Sequence, residues 1–175
     1  AHTIKAVVKR NPFPAEAYED VFMGNTNGAG EDCRNVARFS LLRAGMPVEV
    51  GGQTVNRLCG SGLAATLDAA RGVKVGEGEL LLSGGVESMS RAPIVMSKAK
   101  AAYDRSQEIA DSTLGARFSN PAFAAAYGND TMPETADNIA EELKITREEA
   151  DQFAASSQAK YEAARVDGFY EGEII

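Results

Sequence analysis

Ile4, Val7 and Val8 share one face of a helix, because side chains three or four positions apart line up along a helical axis. The run Asn11-Pro12-Phe13-Pro14 stops that helix, since proline brings no donor and fixes its own backbone angle. Residues 20–25, Asp-Val-Phe-Met-Gly-Asn, then read as a strand closed by a glycine-rich loop. Over residues 34–45 the pattern turns helical again, with Val36, Ala37, Leu41 and Ala44 on one face and Gly45 at the stop. A strand at 54–58, a helix from 60 to about 75 and a strand at 79–83 complete the series. Strands spaced by helices predict the α/β class, a mainly parallel sheet covered by helices.

After residue 88 the alternation stops. Residues 89–132 carry weak periodicity, punctuated by Pro93, Pro121 and Pro133, and a stretch that long without regular elements usually serves a function or holds small folds of its own. Two helices follow, at 134–144 with Ile139 and Leu143 one turn apart, and at 147–165 with an apolar pattern from Phe153 to Ala164. Thr146 with Glu149 forms a capping box for the second. The expected organisation is an α/β domain at 1–88 and a mostly helical, irregular domain at 89–175. No internal repeat or low-complexity tract interrupts either.

With 175 residues, 44% of them hydrophobic, the chain can bury the core of one globular domain. No run approaches the roughly 18 apolar residues of a membrane span, and no charged-then-apolar leader opens the chain, so neither membrane insertion nor export is expected. Cys33 and Cys59, the two cysteines, are too few for a disulfide framework and fit a reducing, cytoplasmic setting. A net charge of -7 argues against nucleic acid, whose phosphates demand basic patches. Lys98, Lys100, Arg105 and Arg117 gather some positive charge, although a solvated face is the ordinary account of any one of them. No metal is expected.

The candidate chemistry lies at residues 55–63, Val-Asn-Arg-Leu-Cys-Gly-Ser-Gly-Leu, where one cysteine stands between the end of a strand and the opening of a helix. The first-turn N–H groups of a helix lack intrahelical partners and carry partial positive charge, which favours an anionic sulfur, and Gly60 and Gly62 leave room for a substrate. Two other readings stand beside the nucleophile. Gly60, Gly62 and Ala65 spell the weaker form of a dinucleotide-binding turn, but the acidic residue due about 20 positions on, Glu79, opens the next apolar run instead of closing it. The third reading makes Cys59 a small buried residue, as most unpaired cysteines are.

The run VNRLCGSGL at 55–63, followed by GEGELLLSGGVESMSRAPIVM at 76–96, resembles the thiolase family. The resemblance extends through GNTNGAGEDCRNVAR at 24–38 and YGNDTMPETADNIAEELKITREEADQFAASSQ at 127–158, and so covers nearly the whole chain. AGEDCRNVAR, DSTLGARFSNP and YGNDTMPETADNIA look most like the degradative branch that cleaves 3-oxoadipyl-CoA; a biosynthetic acetoacetyl-CoA thiolase is the neighbouring alternative.

That resemblance implies a thiolase fold in which the region after residue 88 is a loop domain that inserts into the first α/β half and covers the substrate. It implies an acyltransferase that uses coenzyme A as co-substrate and no further cofactor, assembled as a homodimer or homotetramer. Cys59 would be the acylated nucleophile, and its backbone N–H one donor to the developing oxyanion. Met132 would line the substrate pocket, although its neighbours read T-M-P where the family has H-M-G; core filler is the competing account of an isolated methionine. Arg117 would receive the distal carboxylate of a dicarboxylyl substrate, against the commoner fate of loop arginines as solvated groups. Met89, with Ser88 and Ser90, would belong to a subunit-contact loop, or to a simple turn. Cys33 reads as a bystander. The family's G-H-P histidine and second glycine-flanked cysteine do not follow Cys59, and His2 is the only histidine. The chain is therefore expected to be an internal fragment of a thiolase, inactive alone, or else a catalytically silent α/β fragment that associates through exposed apolar faces.

Overall fold

The computed structural model describes residues 1–175, which form two compact units, Ala1–Thr113 and Leu114–Ile175. The first is built on a three-stranded parallel sheet of β1 (Asp20–Gly24), β2 (Gly51–Val55) and β3 (Leu81–Gly85), in the order β2-β1-β3. The connection from β1 to β2 runs through α2 (Val36–Arg43), and that from β2 to β3 through α3 (Ser61–Val75). The two crossovers run in opposite directions across the sheet, the first from β1 out to β2 and the second from β2 back past β1 to β3. With one hand for both, they place their helices on opposite faces of the sheet.

Alternation along the central strand matches this. Val21 and Met23 pack with Ala37 and Leu41 of α2 and with Ile4 of α1 (His2–Arg10). Phe22 points the other way, onto Ala65 and Ala69 of α3, with Val55 and Leu81 packed alongside. Val21, Ala37, Leu41 and Ala65 have no exposed surface at all. The α/β class and the parallel sheet expected from the pattern are present.

Two strands shift from their expected places, for reasons that lie in the pairing. β2 covers 51–55 and not 54–58, because its register with β1 runs from Asp20 opposite Gly51 to Gly24 opposite Val55. Its two leading glycines do not look like strand formers. A Cβ on Gly52 would lie 2.9 Å from the Arg38 Cα, so the close approach of α2 requires glycine there. Asn35 secures the same contact: its Oδ1 accepts from Arg38 N–H at 3.1 Å while its Nδ2 donates to Gly52 O at 2.7 Å. β3 covers 81–85 and not 79–83, since Leu81 is the residue opposite Asp20. Glu79 stays outside the strand, its N–H donating to the Glu19 carboxylate.

The first unit extends past residue 88 through a 3-10 turn at Met89–Arg91 and a small antiparallel hairpin, β4 (Ile94–Met96) with β5 (Ile109–Asp111). The break in alternation at 88 thus does not coincide with the division between units. Arg91 reaches back to Glu31 in a two-bond pair at 2.8 and 2.6 Å, which holds the Glu31 carboxyl below its ordinary range. Asn27 Nδ2 donates to Ser112 O at 2.9 Å.

The second unit holds α4 (Pro121–Tyr127), α5 (Met132–Leu143) and α6 (Arg147–Val166). Thr146 and Glu149 form the expected capping box. α5 begins two residues before the expected 134, because Thr131 and Glu134 make a second capping box across Pro133. No helix of the chain is long and apolar enough to cross a membrane.

Candidate active site

The carboxyl ends of parallel strands whose connections diverge leave a crevice, the usual binding position in open α/β sheets. Here that edge carries three loops, after β1, β2 and β3, and side chains lace them together. Asn25, 5% exposed, donates from Nδ2 to Val86 O at 2.9 Å. Glu87 accepts from the N–H groups of Thr26 at 2.8 Å and Asn27 at 2.9 Å, which ties the β3 loop to the β1 loop. Asn56 Nδ2 donates to Thr26 O at 3.0 Å and so brings in the loop after β2.

Cys59 sits in that last loop, one residue before the Gly60 cap of α3, and is exposed. Its position follows from a close contact beneath it. A Cβ on Gly24 would lie 2.5 Å from Gly62 N and from the Ser61 carbonyl carbon, so the amino end of α3 rests directly on the end of β1. Above, a Cβ on Gly62 would meet nothing within 4 Å. The helix start is backed by the sheet on one side and open on the other.

The turn itself is held in an unusual conformation. Leu58, immediately before Cys59, has a φ of 48°, in the left-handed region that costs a non-glycine residue about 1–2 kcal/mol. Its side chain is 67% exposed, so packing does not offset that cost. Hydrogen bonds do. Leu58 N–H donates to Asn56 Oδ1 at 3.0 Å, and Leu58 O accepts from Ser61 N–H at 3.0 Å, from Ser61 Oγ and from Thr26 Oγ1 at 3.1 Å. Ser61 is 4% exposed, and its Oγ also accepts from Arg57 N–H at 2.8 Å. Gly60 N–H donates to Arg57 O at 3.1 Å. The Cys59 N–H takes no part in these bonds.

The geometry bears on each of the three readings of the turn. An exposed sulfur is not core filler. A nucleotide loop would need a free acid at the carboxyl end of β3. Glu79 lies at the opposite end of that strand, beside Glu19, and Glu87 is occupied by two backbone N–H groups. An accessible sulfur with a helix start behind it suits nucleophilic acyl chemistry.

Met89 is half exposed on its 3-10 turn in the same unit, and Cys33 is exposed in the loop after β1. Met132 opens α5 with 79% of its surface exposed, and Arg117 is partly buried; both belong to the second unit. No group of three His, Cys, Asp or Glu side chains is gathered as a metal would need. Thr26, Asn56, Ser61 and Glu87 escape sequence reasoning as site residues. Only the Asn-Thr-Asn run just after a strand hints at a loop rich in local hydrogen bonds.

The sequence matches the family described as thiolase, N-terminal domain, over residues 1–175. The chain belongs to the thiolase family. The beta-ketoadipyl-CoA thiolase of Acinetobacter baylyi is 54% identical over 173 residues, which cover 98% of this chain and 43% of that protein. The 3-oxoadipyl-CoA/3-oxo-5,6-dehydrosuberyl-CoA thiolase of Escherichia coli is 53% identical, with the same 98% and 43% coverage. Human mitochondrial 3-ketoacyl-CoA thiolase, solved in complex with CoA, superposes with a TM-score of 0.79 at 32% identity, covering 95% of this chain and 41% of that one. This thiolase domain thus spans less than half the length of those relatives.

Proposed function

We propose that the protein carrying this thiolase domain cleaves 3-oxoadipyl-CoA with coenzyme A, and that Cys59 carries the acyl group between the two halves of the reaction. The Cys59 thiolate adds to C3, the C2–C3 bond breaks with its electron pair going to C2, and C2 takes a proton to leave as acetyl-CoA. A succinyl group remains on sulfur as a thioester. The thiolate of coenzyme A then adds to that carbonyl and expels the cysteine thiolate, giving succinyl-CoA. Sulfur serves both halves, being nucleophilic on entry and a good leaving group on exit.

The observation that carries this reading is the exposed Cys59 at the start of α3, with open space over Gly62 and a Cys59 N–H left out of the turn's own bonds. That N–H is the donor we assign to the carbonyl oxygen as it gains charge. The dicarboxylyl substrate rests on the similarity to thiolases named for beta-ketoadipyl-CoA and 3-oxoadipyl-CoA. We assign Met132 to the acyl pocket and Arg117 to the distal carboxylate on the same footing. A cytoplasmic homo-oligomer fits the two unpaired, exposed thiols and the half-exposed Met89.

The test is to mix the protein, in its full reading frame, with 3-oxoadipyl-CoA in the absence of free coenzyme A, quench, and weigh the peptide containing Cys59. A succinyl group on Cys59 that disappears when coenzyme A is added supports the reading. No acylation, or equal acylation of a Cys59→Ser protein, overturns it.

A further inference from the structure

The turn before Cys59 is held from outside its own segment. Thr26, in the loop after β1, donates its hydroxyl to Leu58 O at 3.1 Å and accepts from Asn56 Nδ2 on its own carbonyl at 3.0 Å. Its N–H is fixed in turn by Glu87, at 2.8 Å. Thr26 therefore links all three loops of the sheet's carboxyl edge. The peptide it holds is the one whose nitrogen belongs to Cys59, because the Leu58 carbonyl and the Cys59 N–H form a single planar unit. Fixing the oxygen of that unit fixes the direction of its N–H.

We infer that Thr26, through its hydroxyl bond to the Leu58 carbonyl, is a positioning residue that aims the Cys59 N–H at the oxyanion formed during acyl transfer. Asn56 supports it from both sides, donating to Thr26 O and accepting from Leu58 N–H at 3.0 Å. The inference rests on the acyl-transfer reading of Cys59, and it goes further by assigning the control of the donor to a residue in the loop after β1, 33 positions away in sequence. The separation matters chemically. Bonds within residues 56–61 would let the whole turn rock as one body, whereas the Thr26 hydroxyl ties it to the loop after β1, which Glu87 holds in turn.

Two reactions of the same sulfur separate this role from general loosening. Acylation by a 3-oxoacyl-CoA builds charge on a carbonyl oxygen and needs the aimed donor; alkylation by iodoacetamide displaces iodide from carbon and builds no such charge at that donor. The protein in its full reading frame is compared with Thr26→Val, which keeps shape and loses the hydroxyl, and with Thr26→Ser, which keeps the hydroxyl. The expected result is that Thr26→Val lowers the rate of Cys59 acylation by 3-oxoadipyl-CoA about tenfold or more, the scale of a small misplacement at a reacting centre. Its KM and its alkylation rate stay within about twofold of the parent, and Thr26→Ser recovers most of the acylation rate. Asn56→Ala, at an exposed position that does not threaten folding, shifts acylation in the same direction.

Equal loss of acylation and alkylation in Thr26→Val would reduce the residue to a structural support and overturn the inference. So would acylation at the parent rate in both Thr26→Val and Asn56→Ala. A parent protein that is alkylated at Cys59 but never acylated would instead defeat the thiolase reading itself, and the inference with it.

Discussion

Gly24 and Ser61 touch backbone to backbone: a methyl group on Gly24 would stand 2.5 Å from the Ser61 carbonyl carbon and 2.9 Å from its Cβ. This contact sets the height of α3 over the sheet, and with it the place where the turn carrying Cys59 leaves β2. Gly24→Ala has no flexible side-chain tip to push aside, only helix backbone. It is expected to destabilise the first unit by about 3 kcal/mol, the upper end of overpacking costs, and to slow acylation of Cys59 by displacing the helix start. Urea unfolding and the Cys59 acylation rate measure the two effects. A variant with the parent's midpoint would mean that α3 slides freely along β1.

Much of this unit is legible along the chain. The apolar rhythm of α1, the short apolar run of β1 and the glycine stops after α2 and α3 are local signals, and each element formed near its expected place. What could not be read is whatever depends on a partner far away in sequence. The start of β2 at Gly51 is set by pairing with Asp20 and by the Arg38 backbone, neither of which leaves a mark on residues 51–55. Hydropathy likewise places Cys59 between a strand and a helix, but does not reveal the bond from Thr26 that holds its turn or the Glu87 bonds that hold Thr26, because single polar residues in loops carry no periodicity.

The core ranks its residues sharply. Leu41 has no exposed surface and packs on the α2 side of the sheet, while Leu63 on the outer side of α3 is 68% exposed. Leu41→Ala should cost about 2–5 kcal/mol through lost burial and the cavity left behind. Leu63→Ala should stay within about 0.5 kcal/mol for this chain. Chemical denaturation of both variants checks the contrast, and comparable losses would mean that α3 buries its outer face in solution.

Leu58 offers a test of strain at the site. A glycine there removes the left-handed penalty of about 1–2 kcal/mol, while it loosens the unfolded chain by roughly 0.4–1 kcal/mol. The exposed leucine side chain gives up little. Leu58→Gly should therefore leave stability unchanged or raise it by up to about 1.5 kcal/mol, whereas Leu58→Val, branched at Cβ, should lower it by about 1 kcal/mol or more. The ordering of the two midpoints in urea is the measurement; Val above Gly would show that the φ of 48° is not kept in solution.

The helices of the second unit should respond to acid through their caps. Glu149 accepts from Thr146 N–H at 2.8 Å and from its hydroxyl at 3.0 Å, and Glu134 accepts from Thr131 N–H at 2.7 Å and from its hydroxyl at 2.8 Å. Those bonds favour the charged form and hold both carboxyls below the ordinary glutamate range. A group whose value falls on folding adds stability above its unfolded value, and that contribution fades as pH drops through the folded one. Helix content should accordingly decline from about pH 4 downward, where an unfolded glutamate begins to hold its proton. Glutamine can still accept the Thr N–H but cannot titrate, so a Glu134→Gln, Glu149→Gln protein should keep its helices at neutral pH and lose this part of the acid response. Far-UV circular dichroism across the acid range follows both proteins, and superimposable titrations would show that the acid response comes from other carboxylates.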